Sequence, residues 1–164
     1  MTASVLLDTS FLISLVDQSR PNHGVAVKYY QWLLGQKIPL YFSAIVAAEF
    51  GVKQPITDLP LRNFRPLAFG IPHGQVAGAL WNDLNPQEPG VPRRVARDDV
   101  KLIAQACHDK IPFMLTEDAS TLVKYCDRLR RMGRCRVRAI TLVDGFNTCA
   151  FNEDGQQGLD FPVI

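Results

Sequence analysis

The chain alternates between short continuous apolar runs and longer stretches in which apolar residues recur at helical spacing. Val5 to Leu7 is an apolar run that stops on Asp8, Thr9 and Ser10, which predicts a buried strand giving way to a short helix over Phe11 to Val16. After the breakers Pro21, Asn22 and Gly24, the positions Val27, Tyr30, Leu33 and Leu34 make one face of a helix over Val25 to Leu34, with Gly35 placed to cap it. Ile38 to Phe42 predicts a strand, and Ser43 the cap of a nearly all-apolar helix from Ala44 to Phe50. Residues 53 to 63, broken by Pro55, Asp58 and Pro60, predict a loop or a poorly patterned helix.

Phe64 to Phe69 predicts a strand and Pro72 to Leu84 a helix, followed by a proline-rich connection from Asn85 to Arg94. Asp98 or Asp99 then caps a helix with Val100, Ile103, Ala104 and Cys107 on one face. Pro112 to Leu115 predicts a strand, Asp118 opens a helix carrying Leu122, Cys126 and Leu129, and Arg136 to Leu142 makes a final strand. Strands alternating with helices predict an α/β fold: a three-layer α/β/α sandwich around a central parallel sheet. In such sheets ligands sit outside the carboxyl ends of the strands, which is where the pattern puts Asp8 and Asp118.

Composition narrows this little. A chain of 164 residues, 47% hydrophobic and 21% charged, is the size and balance of one soluble domain, here 1–164. No apolar run approaches the roughly 20 residues of a membrane span, and no basic segment precedes a hydrophobic one at the N-terminus, so a cytoplasmic protein is expected. Cys107, Cys126, Cys135 and Cys149 form no CxxC pair, and His23, His73 and His108 supply no matching zinc pattern; reduced thiols are expected. Cys107 and His108, as neighbours on a helix, point in different directions and make a poor nucleophile and base.

Charge is more informative than its net of +2. Residues 91 to 138 hold 12 basic and 6 acidic side chains, whereas residues 139 to 164 hold no basic and 4 acidic ones. The basic segment is a plausible footprint for phosphate, though solvated helix faces also collect arginines.

Four acids stand out of the pattern: Asp8 after the first strand, Glu49 inside an apolar helix, Asp99 at the start of another helix, and Asp118 after a later strand. Helix capping accounts for each Asp singly. It cannot account for Glu49, six residues after the cap Ser43; that acid either faces solvent or has company. Buried carboxylates persist when they are paired or bind a cation, and four that converge would make a hard oxygen cage for Mg²⁺ or Mn²⁺.

The segments LLDTSFLI, SAIVAAEF, DDVKLIAQA and LTEDAST, in this order between residue 4 and about residue 142, resemble the PIN (PilT N-terminus) domain of toxin-antitoxin ribonucleases and RNA-processing enzymes. The resemblance implies a PIN-like fold and a metal-dependent endoribonuclease, with Asp8, Glu49, Asp99 and Asp118 as the catalytic and metal-binding acids. Asp98 is a rival for Asp99, which is preferred because Val100 to Ala106 then aligns with the family's small-residue helix. Thr9 or Ser10, Ser43 and Thr116 fall where the family places supporting hydroxyls. Ala119, Ser120 and Thr121 stand where some members carry a further acid, which implies a weaker or water-rich second metal position. Residues 145–164 match no motif.

On this reading the acids hold Mg²⁺ or Mn²⁺, Glu49 acting as ligand or as orienter of the attacking water, and that water hydrolyses an RNA phosphodiester. Arg93, Arg94 and Arg97, just ahead of Asp99, are the RNA-binding candidates, ahead of the later cluster Arg128, Arg130, Arg131, Arg134, Arg136 and Arg138. The resemblance also implies an antitoxin partner over the acidic cleft and a homodimer. Two alternatives are weighed. A haloacid-dehalogenase-like phosphatase needs a second Asp two residues after Asp8, where this chain has Ser10. A catalytically inactive PIN fold acting as an RNA-binding or interaction module is the other.

Overall fold

The computed structural model describes residues 3–152. Five strands, β1 (Val5–Leu7), β2 (Leu40–Ser43), β3 (Arg65–Leu67), β4 (Phe113–Thr116) and β5 (Arg138–Thr141), form one sheet in the order β3-β2-β1-β4-β5. Every pairing is parallel. The two central strands explain themselves: all residues of β1 and β4 are buried, as a parallel strand covered on both faces requires.

Six helices connect and cover the sheet: α1 (Thr9–Val16), α2 (His23–Gly35), α3 (Ala44–Lys53), α4 (Ile71–Leu84), α5 (Arg93–His108) and α6 (Leu122–Arg131). The chain moves from β1 outward to β2 and β3 through α1, α2 and α3, then crosses to β4 and β5 through α4, α5 and α6. Right-handed crossovers in opposite directions put the two helix sets on opposite faces, giving the three-layer α/β/α architecture. The strand order reverses direction between β1 and β4. Their carboxyl ends, Leu7 beside Leu115, therefore open the crevice in which open α/β sheets bind ligands.

Several element boundaries differ from the sequence pattern for identifiable reasons. α5 begins at Arg93, with Pro92 as its cap residue, so Asp98 and Asp99 sit inside the helix and cap nothing. α6 begins at Leu122 and not at Asp118, because the Asp118 side chain closes a turn by accepting the backbone N–H groups of Ser120 and Thr121 at 2.7 and 3.2 Å. α2 starts earlier, at His23, and its left-handed exit is taken by Lys37 (φ 56°), two residues past Gly35. β3 is shorter than Phe64 to Phe69 and borders the sheet. Residues 53–63 contain two single 3₁₀ turns, Ile56–Asp58 and Leu61–Asn63.

The unmatched C-terminal stretch is partly core. The 3₁₀ turn Thr148–Phe151 buries Phe151 among Tyr29, Trp32 and Phe113, with ring centroids 5.9, 5.2 and 5.2 Å away. Glu153, Asp154 and Asp160 lie outside the described residues. No helix among the described residues is long and apolar enough to cross a membrane. All four cysteines are free thiols.

Candidate active site

Asp8 is 7% exposed at the end of β1, where its backbone N–H continues the sheet by donating to Leu115 O at 2.9 Å. It occupies the cap position of α1, yet its side chain makes no capping hydrogen bond. The carboxylate instead accepts from Ser10 Oγ at 2.7 Å and Thr116 Oγ1 at 2.8 Å on the same oxygen, Oδ2. Those hydroxyls are themselves fixed. Ser10 Oγ accepts the Glu117 N–H, and Thr116 Oγ1 accepts the Asp118 N–H, both at 2.9 Å.

The other three acids arrive on separate elements. Glu49, half-buried in the middle of α3, accepts a hydrogen bond from the Thr9 hydroxyl, next to Asp8. Asp99, in the second turn of α5, accepts from Thr121 Oγ1 at 2.6 Å, and the same hydroxyl also contacts Asp118 Oδ2. A hydroxyl has one hydrogen to give, so Thr121 donates to only one of these carboxylates at a time, and both contacts are hydrogen bonds together only when one carboxyl carries a proton. Asp98, the rival of Asp99, pairs with Lys101 at 3.2 Å, and its charge still acts on Glu49.

The proton affinities record this crowding. Burial pushes the Asp8 carboxyl above the usual range, against its two hydroxyl donors, and the Asp118 charge adds to the shift. Asp99 is pushed up to about 7, chiefly by burial, with Asp8, Asp118 and Glu49 contributing their negative charge. Glu49 rises for the same first reason, with Asp8 and Asp98 adding to it. In Asp118 burial also raises the pKa, but the hydrogen bonds from Ser120 and Thr121 outweigh it and hold the carboxyl below its ordinary value. Four acids with little compensating charge among their hydrogen-bond partners form an all-oxygen donor set suited to a hard divalent cation. No three of them bring ligand atoms within 4.8 Å of one another, a spacing that among the described residues is met by His73, His108 and Asp109. Because Mg²⁺ usually keeps several of its waters, a set wider than one coordination shell still fits it.

That histidine cluster lies elsewhere. His108 and Asp109 stand at the far end of α5, about 14 Å along the helix from Asp99. His73 Nδ1 accepts the Gly70 N–H at 2.9 Å, which leaves the proton on Nε2 to reach Asp109 at 3.0 Å. His108 Nδ1 meets the same carboxylate at 2.9 Å. The three groups could hold a metal ion by spacing, and as they stand they tie the start of α4 to the end of α5.

Ser43 is fully buried: it caps α3 by accepting the Ile45 N–H at 3.1 Å and donates to Gln105 at 2.5 Å. Its own hydrogen bonds go to these groups and to none of the four acids. Glu117, adjacent to Asp118, is held by Ser14 Oγ at 2.5 Å, Asn22 at 3.1 Å and Arg20 at 3.4 Å, which locks α1 and the following loop to β4. Of the basic candidates, Arg93 and Arg97 lie in the first turns of α5 over the Trp81 ring, and Arg94 is exposed. Arg128 and Arg134 are tied to Glu88 and Asp83 at 3.0 and 3.3 Å. The pattern of acids alone does not point to Thr121 or Trp81. For Thr121 the signal is its place three residues after Asp118, which lets its hydroxyl return to that carboxylate.

No protein-family profile and no curated protein sequence matches the chain. Solved structures do. FitAcB from Neisseria gonorrhoeae superposes with a TM-score of 0.59 at 18% identity, over 85% of this chain and 98% of that one. VapBC2 from Rickettsia felis, bound to a DNA fragment from its promoter, gives 0.57 at 14% identity over 82% and 97%. VapC20 from Mycobacterium tuberculosis, a toxin that cleaves the sarcin-ricin loop, gives 0.54 at 18% identity over 82% and 99%. The chain has a PIN-like fold. Nearly the full length of each of these structures is matched, so the fold is shared as a whole and not through a single motif.

Proposed function

We propose that this chain is a divalent-cation-dependent endoribonuclease of the toxin-antitoxin type, hydrolysing RNA phosphodiester bonds. The observation that carries this reading is the convergence of Asp8, Glu49, Asp99 and Asp118 at the reversal point of the sheet, each carboxylate oriented by a hydroxyl from Thr9, Ser10, Thr116 or Thr121. These acids would hold Mg²⁺ or Mn²⁺, which when bound acidifies an attacking water and offsets charge on the phosphate. The hydroxyls keep the carboxylate rotamers fixed, and Glu49, reaching the crevice from α3, orients the water. Arg93, Arg94 and Arg97 hold the RNA backbone.

The structural neighbours support the toxin reading, since beside VapBC2 and FitAcB they include a toxin that cleaves the sarcin-ricin loop. An antitoxin partner that inserts a basic side chain among the carboxylates, and a homodimer, complete the proposal. The deciding experiment compares wild type with Asp8→Asn for Mn²⁺-dependent cleavage of single-stranded RNA. Cleavage by wild type alone is expected. Equal cleavage by both removes the catalytic assignment, and RNA binding without cleavage by either would leave an inactive RNA-binding module.

A further inference from the structure

Beside the carboxylates, α4, the connection 85–92 and the start of α5 enclose a cavity of about 390 Å³, within the range of small-ligand sites. Trp81 forms one wall and Arg93 another, with their guanidinium and indole already in contact: Arg93 and Arg97 place their guanidinium carbons 5.8 and 5.9 Å from the ring centroid. Asn85 and Gln87 line the same space, and neither side chain makes a hydrogen bond among the described residues. Glu88 is different. It receives the Tyr125 hydroxyl at 3.1 Å and Arg128 at 3.0 Å, so it is a fixed wall and not a mobile acid.

The cavity shares structural parts with the acidic site. Ala96, in its floor, lies one turn before Asp99 on α5. Tyr125 lies one turn after Thr121, the residue whose hydroxyl contacts Asp99 and Asp118. A strand with one phosphate at the carboxylates therefore has this cavity beside it. A partly buried indole with two guanidiniums over its ring, and exposed amides at the rim, matches the chemistry of an unpaired base: a flat ring to stack, an edge to hydrogen-bond, and a phosphate to neutralise.

Resting on the ribonuclease reading above, we propose that this cavity takes a nucleobase of the RNA strand next to the bond that is cut, stacked against Trp81, with Asn85 and Gln87 at its edge and Arg93 and Arg97 on the flanking phosphate. Trp81 is then a substrate-positioning residue.

The test uses the full chain carrying Asp8→Asn, so that RNA is bound and not consumed, with fluorescently labelled oligo(A), oligo(U) and oligo(C). Adding Trp81→Ala should weaken binding about ten-fold, the usual effect of removing a base–aromatic stack, without changing the salt dependence. Trp81→Phe, which keeps a ring and the helix packing, should restore most of the affinity while removing the RNA-induced quenching of Trp81 fluorescence. RNA affinity and quenching that are both indifferent to Trp81 overturn the proposal and leave the ribonuclease reading intact; a cavity that serves a protein segment instead would give this result. A protein that binds none of the oligonucleotides overturns both.

Discussion

The hydroxyl of Thr9 donates a hydrogen bond to the carboxylate of Glu49, a residue forty positions further along the chain. This hydrogen bond joins the corner between β1 and α1 to the middle of α3 and sets Glu49 beside Asp8. Thr9→Val keeps the size and β-branching of the side chain and removes its one donor. Cleavage should fall about 10- to 100-fold, the range for removing a group that orients a ligand, while the thermal midpoint stays close to wild type. Initial rates of Mn²⁺-dependent RNA cleavage measure this. Undiminished rates would show that Glu49 needs no orientation from Thr9.

Glu49 also shows what the sequence could reveal. An acid six residues past its helix cap, on an otherwise apolar helix, has no local explanation, and the anomaly points to the site without any knowledge of the fold. The parallel sheet is similarly legible, because β1 and β4 are apolar at nearly every position and buried throughout. What stays hidden is set by tertiary structure. Asp8 looks like a helix cap until Thr116 reaches it from another strand. Ser43 reads from the sequence as a cap and a supporting hydroxyl, and nothing in the sequence shows that its hydroxyl donates to Gln105, sixty-two residues away. The start of α5 is misread because two consecutive acids imitate a cap, whereas Pro92 provides the actual boundary.

Asp99 makes the stability of the cation-free protein depend on pH. Its folded-state pKa of about 7 lies above the ordinary carboxyl value of 3.8, so the folded chain holds a proton that the unfolded chain has released. Stability from this group is therefore fully present below about pH 4 and is lost as pH rises through 7. Two outcomes are expected in thermal melts. Without divalent ions, Asp99→Asn should melt a few degrees above wild type at pH 8 and by much less at pH 5. Added Mn²⁺ should raise the wild-type midpoint at pH 8 and leave Asp99→Asn nearly unmoved. A wild-type midpoint insensitive to Mn²⁺ at pH 8 would count against cation binding at these acids.

Ser43 and Gln105 form a fully buried polar pair, and Gln105 Nε2 continues to Ala68 O at 3.1 Å. Ser43→Ala removes a helix cap and leaves the Gln105 carbonyl without its donor, which should lower stability by about 1–3 kcal/mol. Cleavage per folded molecule should hold. Denaturant unfolding together with rates measured well below the melting temperature separates the two effects. A large drop in rate in a fully folded Ser43→Ala protein would instead place this hydroxyl in the site.

The arginines divide by what they touch. Arg128 donates to Glu88 at 3.0 Å and to the Leu84 carbonyl at 2.6 Å, so it closes the end of α4 against the following connection. Arg94 is exposed near the start of α5, two residues after Pro92. In the Asp8→Asn background, replacing Arg93 and Arg94 together with Ala should weaken single-stranded RNA binding and flatten its salt dependence by roughly 0.7 in log-log slope for each phosphate no longer neutralised. Arg128→Ala should leave that slope unchanged and lower the thermal midpoint, because the Glu88 carboxylate and the Leu84 carbonyl are left without this donor. Binding titrations across a salt series, with a melt of each variant, read both quantities. A flattened slope in Arg128→Ala with an unchanged melt would move the RNA path from the start of α5 onto α6.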